Sequence, residues 1–548
     1  MEYDKTQVSG ASLLAKQLRV MGIDTIFTVL GGPMIDVLAQ ASNEGIKVIN
    51  CRHEMNAAFA ASAWGYINQK PGILVAASGP AMTNTVTPMY VSTKSAMPLV
   101  NLGGSAAEGT LGLGSFQELD QPSIPNPAAK WVQRVDNTHH IPELLYLAFG
   151  KAQNGRPGAV YLDFPGNILS DTVDSNDIEL REKSPNIPPP QPDPTAIKDV
   201  ANMLTTAERP LVIIGKGAAW SDASLALTDL IDKGIPFIAS PMGRGVIPDD
   251  HELNMGAARS KAMSEADTIL MVGGRFNWTF QLGKRFKSNA KIAQIDIQAD
   301  EFFSAAKTDI GIIADANTGI QALNEIMNDV NSLKKNKTWI KDLSTKCTEN
   351  EASIQEQTVS NQEPINHYRL LADIRDSVER DAIVTEDGEL TMAIARQIMP
   401  THIARHRLGA GTTGCMGTGL PYALGAKLAK PDRQVIAILG DYAFGAAAME
   451  VETCARWNIP IVIIVSNNAG IAAHTIQDRS FSEDAPPIAA LLPIHYEKMV
   501  EMVGGYSERV TNPDEIKPAI TRALASGKVS LLNVITDPKA QRRGGGYL

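Results

Sequence analysis

Two polar clusters at the ends of apolar runs carry the most chemistry in this sequence. Gly440-Asp441-Tyr442 closes the run VIAIL (435–439), and Asn467-Asn468-Ala469-Gly470 closes the run IVIIVS (461–466). An Asp carboxylate, an Asn side-chain carbonyl and a backbone carbonyl are hard oxygen ligands, suited to Mg²⁺ that also binds phosphate oxygens. The interval from Asp441 to Asn468 is long enough for a helix and a return strand, which brings both polar ends to one edge of a sheet. Either fragment alone reads as a turn; their joint placement points to a cation. A third segment, Cys51-Arg52-His53-Glu54, follows KVIN and opens a small-residue helix with Ala57, Ala58, Ala60, Ala61, Ser62, Ala63 and Gly65. Small apolar neighbours permit burial of the Glu54 carboxyl, and burial favours the protonated form that a general acid needs. The plainer alternative is a first-turn glutamate favoured by the helix dipole. The stretch GTTGCMGTGLP (411–421) is richer in glycine than a helix start requires, though such a loop is a weak signal by itself.

The elements that must position these groups follow from pattern. A chain of 548 residues is too long for one core, and its 44% hydrophobic and 20% charged content is that of a folded globular protein. SPNIPPPQPDP (184–194) cannot continue a helix or an inner strand and reads as an extended linker. The polar stretch 332–363 reads as a helical or irregular connector. Three blocks result, 1–183, 195–331 and 364–548. Each alternates short apolar β-type runs with amphipathic helix-length segments, the pattern of parallel sheets covered on both faces. The runs are 73–78, 98–104 and 159–165 in the first block, 211–217, 268–274 and 291–297 in the second, and 382–388, 435–441, 461–467 and 531–537 in the third. Several end in Gly, Asp or Ser, at the strand ends where open α/β sheets bind ligands. The predicted fold class is α/β, with three doubly wound parallel-sheet domains.

Fifty basic against sixty acidic residues leave a formal charge of −10, which argues against a nucleic-acid or anionic-membrane surface. Cys51, Cys347, Cys415 and Cys454 lack the short paired spacings of a thiolate metal site or redox pair. The amino terminus has neither the basic nor the apolar segment of a signal peptide, and no apolar run approaches a bilayer span. Nor is the carboxyl-terminal Gly546-Tyr547-Leu548 the usual peroxisomal tripeptide. A cytoplasmic enzyme without a membrane partner is the expectation.

The Gly-Asp-X…Asn-Asn pattern resembles the signature of thiamine diphosphate enzymes, with Tyr442 in place of the usual third glycine. The resemblance implies a pyrimidine-binding domain (1–183), a central nucleotide- or coenzyme A-binding-like domain (195–331) and a diphosphate- and Mg²⁺-binding domain (364–548). It implies that Asp441, Asn468 and the Gly470 carbonyl hold the metal. It further implies that Glu54 lies near N1′ of the aminopyrimidine, where its proton would favour the imino form that activates thiazolium C2. Met416 matches the wedge that bends the cofactor, and the Gly414 carbonyl accepts from the 4′-amino group. Gly388, Thr391, Gly440, Tyr442, Ala443 and Ile471 complete the implied cofactor contacts.

Within the family, the sequence is most similar to the 2-hydroxyacyl-CoA lyase and oxalyl-CoA decarboxylase group. GKGAAW (215–220), PMGRGVIP (241–248) and GRFNW (274–278) lie where that group binds ADP or the coenzyme A adenylate. Arg275 and Asp296 resemble its phosphate and ribose contacts, with Lys216 and Arg244 as weaker candidates. Phe116-Gln117-Glu118 resembles the lyases, with Gln117 and Glu118 as catalytic candidates, whereas the decarboxylases place a Tyr-Glu pair there. The implied reaction is reversible cleavage of a 2-hydroxyacyl-CoA to formyl-CoA and an aldehyde or ketone. Oxalyl-CoA decarboxylation, or coenzyme A-independent carboligation or decarboxylation of the benzaldehyde lyase or acetolactate synthase type, is the alternative. The tyrosine that the group tends to carry after Gly-Ile is Ala472 here. The tail from Pro538 is either a frayed terminus or a flap that brings Lys539, Arg542, Arg543 and Tyr547 to a bound ester. Kinship further implies a homodimer or homotetramer with active sites at subunit interfaces.

Overall fold

The computed structural model describes residues 6–182, 185, 187–328, 336–471 and 489–540. Ala472, Arg542, Arg543 and the terminal residues from Gly546 to Leu548 lie outside the described residues. Every apolar run named above forms a strand, and the strands assemble into three parallel sheets flanked by helices, the predicted fold class. Each sheet has its own apolar core, as expected when β-branched runs are buried on both faces.

In the first sheet the order is Lys47–Asn50, Thr25–Thr28, Gly72–Ala76, Leu99–Ser105, Ala159–Pro165 and Trp131–Arg134. A short antiparallel pair, Gln7–Ser9 with Thr172–Asp174, ties the start of the chain to the end of this block. The second sheet runs Phe237–Ala239, Pro210–Ile214, Thr268–Val272, Lys291–Asp296 and Ile310–Ile313. The third runs Arg407–Gly409, Ile383–Asp387, Val435–Gly440, Val462–Asn467, Ser530–Ile535 and Tyr506–Val510. The connector after the second sheet contains the helix Lys337–Thr358, anchored by the buried Trp339, whose indole donates to Glu265 at 2.9 Å.

The chain divides into two compact units. One comprises 1–187 with 413–432 and 447–460; the other comprises 188–412, 433–446 and 461–548. The first unit therefore combines the first sheet with the helices Gly419–Ala429 and Glu450–Arg456, drawn from late in the chain. Within it, Gly419–Ala429 packs on Glu54–Asn68 so closely that a Cβ at Gly425 would lie 2.1 Å from the Ala60 carbonyl oxygen. Phe59 and Tyr422 meet edge to face at 5.7 Å across the same helix pair. Among the described residues, no helix is long and apolar enough to cross a membrane.

Candidate functional site

Glu54 is the first residue of the helix Glu54–Asn68, as its sequence context predicts. His53 caps that helix: its backbone is extended and its Nδ1 accepts from the Met55 N–H at 3.1 Å. The helix is buried along nearly its whole length because its alanines and Gly65 allow close approach; a Cβ at Gly65 would fall 2.6 Å from the Gly72 nitrogen. Glu54 itself is half-buried, and its Oε2 accepts from Asn84 Nδ2 at 2.9 Å. Behind the first turn lies Glu450, a carboxylate the sequence reading did not single out, which accepts from the Arg52 N–H and from Asn56 Nδ2. The loop that leads into Gly419–Ala429 belongs to the same unit. Gly414 has φ +62, a left-handed backbone suited to glycine, and Met416 is exposed.

The loop with Phe116-Gln117-Glu118 is pinned from within. The Glu118 carboxylate accepts from the N–H groups of Gly112, Gly114 and Ser115, and those of Gly112 and Ser115 hold its carboxyl below the ordinary range. Gln117 has φ +54, an unusual conformation for a non-glycine residue, and its Oε1 accepts from Ser78 Oγ at 2.7 Å. Phe116 is left 83% exposed beside it.

The second unit contains the residues expected to bind metal and diphosphate. Asp441 begins the short helix Asp441–Gly445 directly after the strand Val435–Gly440. Its Oδ1 accepts from the Tyr442 N–H at 2.7 Å and its Oδ2 from the Gly470 N–H at 3.3 Å. The two motifs therefore meet at one strand edge, as their spacing predicts. Ala469 takes φ +55 to make the turn, and Asn467 Oδ1 accepts from its N–H at 3.2 Å. Asn467 is held in turn by Asn533, at 3.0 Å, and Asn533 by Glu497, at 2.6 Å. Asn468 is buried, whereas Tyr442 is exposed and Ile471 half-buried. Gly388, at φ +92, lies against Gly440, where a Cβ would come within 3.2 Å of the Gly440 nitrogen; Thr391 Oγ1 lies 3.6 Å from a Cβ built at Gly440. Ala443 is buried in the same helix turn.

Burial raises the Asp441 carboxyl to about 6 against the backbone N–H groups that favour its ionised form. Among the described residues, no Lys, Arg or His pairs with it. A buried carboxylate held only by backbone amides, beside a buried Asn side chain, fits a divalent cation. The glycine cradle of Gly388 and Gly440 fits a phosphate brought close to backbone. Tyr496, which sequence reasoning missed, packs edge to face on Phe444 at 5.5 Å; burial, and the nearby Asp441 charge, push its hydroxyl up to about 12.

In the second sheet, the chain runs outward from Pro210–Ile214 to Phe237–Ala239 and then crosses back to Thr268–Val272, on the other side of the starting strand. That reversal marks the crevice where open α/β sheets bind ligands. Lys216, Arg275 and Asp296 each follow or close one of three adjacent strands there. Gly215 is tight against the crevice wall, since a Cβ would lie 2.1 Å from the Gly273 carbonyl oxygen. Arg244 is placed differently: its guanidinium pairs with Asp249 at 2.5 Å and donates to the carbonyls of Arg396 and Met399. Arg259, not singled out from sequence, donates to the Ala239 and Thr279 carbonyls and stacks over Phe280 at 4.4 Å. Burial and the nearby charges of Arg396 and Arg285 lower it to about 10.

Comparison with known proteins agrees with these features. Models of the thiamine pyrophosphate enzyme N-terminal TPP binding domain, central domain and C-terminal TPP binding domain match residues 8–124, 197–323 and 387–534. The chain is 34% identical to 2-hydroxyacyl-CoA lyase 1 of Homo sapiens, covering 99% of this chain and 97% of that protein. It is 33% identical to oxalyl-CoA decarboxylase of Escherichia coli (strain K12), over 99% and 97%. A probable acetolactate synthase of Mycobacterium bovis is 32% identical over 96% of this chain and 95% of its own. With all three domain models in order and full-length relatives, the chain belongs to the thiamine pyrophosphate enzymes and is a thiamine diphosphate-dependent lyase or decarboxylase.

Proposed function

We propose that this enzyme cleaves 2-hydroxyacyl-CoA, reversibly, to formyl-CoA and an aldehyde or ketone. The observation that carries the coenzyme A part is the crevice of the second sheet, where Lys216, Arg275 and Asp296 follow adjacent strands in a chain whose overall charge is −10. Arg259 adds a largely desolvated cation at the end of the neighbouring strand Phe237–Ala239, with backbone carbonyls and an aromatic face as its contacts. Cations gathered locally on an acidic protein suit an adenylate carrying several phosphates, whether coenzyme A or ADP. Arg244, a weaker candidate, joins the loop 241–249 to the segment 396–399. The loop sequence Phe116-Gln117-Glu118 favours the lyase over the decarboxylase.

The chemistry that thiamine diphosphate would supply when bound is an electron sink for cleavage of the C1–C2 bond. The chain supplies proton control and geometry. Glu54 would face N1′ of the cofactor and exchange a proton with it, and Asn84 sets the direction of that carboxyl. Asp441, Asn468 and the Gly470 carbonyl would hold Mg²⁺ against the diphosphate, with Gly388, Thr391, Gly440, Tyr442, Ala443 and Ile471 around it. Gly414 and Met416 would hold the aminopyrimidine end. Glu118, kept ionised by its loop amides, is suited to accept rather than donate a proton, while Gln117 offers its amide N–H groups to substrate. The division at 1–183, 195–331 and 364–548 belongs to the same proposal and is supported by one sheet falling inside each range. An assembly of at least two copies is carried over from the resemblance, and sedimentation velocity tests it.

The deciding experiment is a product assay with thiamine diphosphate and Mg²⁺ on 2-hydroxyacyl-CoA, oxalyl-CoA and free 2-keto acids. Formyl-CoA with an aldehyde or ketone from the first substrate is expected. Turnover of free 2-keto acids alone would replace the proposal with the coenzyme A-independent alternative.

A further inference from the structure

We propose that Glu450 is a positioning residue for Glu54, an inference that rests on the assignment of Glu54 above. Glu450 opens the helix Glu450–Arg456 and is fully buried, 0% exposed. Its Oε1 accepts from the Arg52 N–H at 3.1 Å and from Asn56 Nδ2 at 3.0 Å. Its Oε2 accepts from Thr453 Oγ1 at 2.7 Å and lies 3.3 Å from the same Arg52 nitrogen. Arg52 and Arg456, the neighbouring cations, pair instead with Glu452, at 3.8 and 2.8 Å.

Stability alone does not select such a group, because a neutral amide fills the same volume without the desolvation that a buried carboxylate incurs. Its contacts bracket Glu54 symmetrically, two residues before and two after. The first N–H groups of a helix have no partner within the helix, so its first turn frays unless an outside acceptor holds it. His53 Nδ1 takes the Met55 N–H, and Glu450 fixes the flanks of that turn through the Arg52 N–H, just before the cap, and the Asn56 side chain, with a charge that is favourable at a helix amino terminus. The Cα–Cβ direction of Glu54 is thus set by Glu450, and the carboxyl rotamer by Asn84. Glu450 need not touch cofactor or substrate to do this.

The test compares Glu450→Ala, Glu450→Gln, Asn56→Ala and Glu54→Gln in the holoenzyme. The readouts are deuterium exchange at C2 of bound thiamine diphosphate, cofactor affinity, and amide hydrogen exchange over residues 52–57 without cofactor. Glu450→Ala should slow C2 exchange about 100-fold, the order expected for a displacement of about 1 Å. Cofactor affinity should hold, and the 52–57 amides should exchange faster. Glu450→Gln should recover to within about tenfold of wild type, because Gln Oε1 still accepts from Arg52. Asn56→Ala, which removes one bracket and keeps the carboxylate, should fall between and carries the test if Glu450→Ala does not fold. Wild-type C2 exchange in Glu450→Ala, or equal slowing in Glu450→Ala and Glu450→Gln, overturns the proposal. If Glu54→Gln is slow while Glu450→Ala is fast, only the positioning role falls. If Glu54→Gln exchanges at the wild-type rate, the Glu54 assignment falls and this proposal with it.

Discussion

The contact between the helices Glu54–Asn68 and Gly419–Ala429 leaves no space for a methyl group at Gly425, which makes Gly425→Ala a sharp perturbation. A Cβ there lies 2.1 Å from the Ala60 carbonyl oxygen, whereas real Cβ contacts essentially never fall below 3.0 Å. Ala60 contributes backbone, not a flexible side-chain tip, so the helices must separate by about 1 Å. Overpacking of this kind costs about 1–3 kcal/mol. The better helix propensity of alanine returns about 1 kcal/mol, leaving a net loss of up to about 2 kcal/mol. For a unit of this size, that lowers the unfolding midpoint by up to about 8 °C. Because one helix begins with Glu54 and the other follows the Met416 loop, the same displacement should slow C2 exchange by up to about 100-fold. Scanning calorimetry and C2 deuterium exchange, run on the same preparation, check both parts. A variant with unchanged midpoint and unchanged exchange would refute the tight helix contact and the geometric argument built on it.

Asp441→Ala removes the anionic ligand, so thiamine diphosphate affinity should fall at least tenfold and lose its dependence on Mg²⁺; equilibrium titration with and without metal checks this, and equal metal-dependent binding in both proteins would contradict the assignment. Arg275→Ala should raise KM for acyl-CoA about tenfold or more, while coenzyme A-free acceptors react almost normally; steady-state kinetics on both substrate types decides it. His367 accounts for an acid-sensitive part of stability. Burial pushes this imidazole down to about 4, and it is satisfied as the neutral form between Ser466 Oγ at 3.0 Å and the Asp537 carbonyl at 3.3 Å. Its folded value lies below the ordinary 6.5, so the unfolded chain takes the proton first as pH falls. The contribution is intact above 6.5 and is lost through the window from 6.5 to about 4, amounting to about 2 kcal/mol by pH 5. Urea midpoints from pH 7.5 to 5 should fall less steeply in His367→Gln, and parallel slopes would refute the role.

Local pattern determined much of this protein. Runs of β-branched residues ending in Gly, Asp or Ser marked the inner strands, because strands buried on both faces must be apolar throughout and must release the chain into a turn. Asp441 and Asn468 were legible for the same reason: each immediately follows a strand, so the parallel sheet alone brings them to one edge. The segment ending in Glu54 was legible as a helix start because a run of small residues follows it directly in sequence. What the tertiary structure decided concerns partners, many of them distant in the chain, and the backbone of loops. Late-chain helices join the unit of the first sheet, and only that union places Glu450 behind Glu54 and Gly425 against Ala60. Arg244 looked like a loop cation, yet its donors meet Asp249 and carbonyls far along the chain. Glu118 is tied to amides of its own loop, and Gln117 adopts a left-handed backbone that its residue type does not announce. Secondary structure and strand-end chemistry follow from short-range pattern. Which donor meets which carboxylate is set by packing, across hundreds of residues for Glu450 and within one loop for Glu118, and side-chain identity fixes what a group can do but not whom it meets.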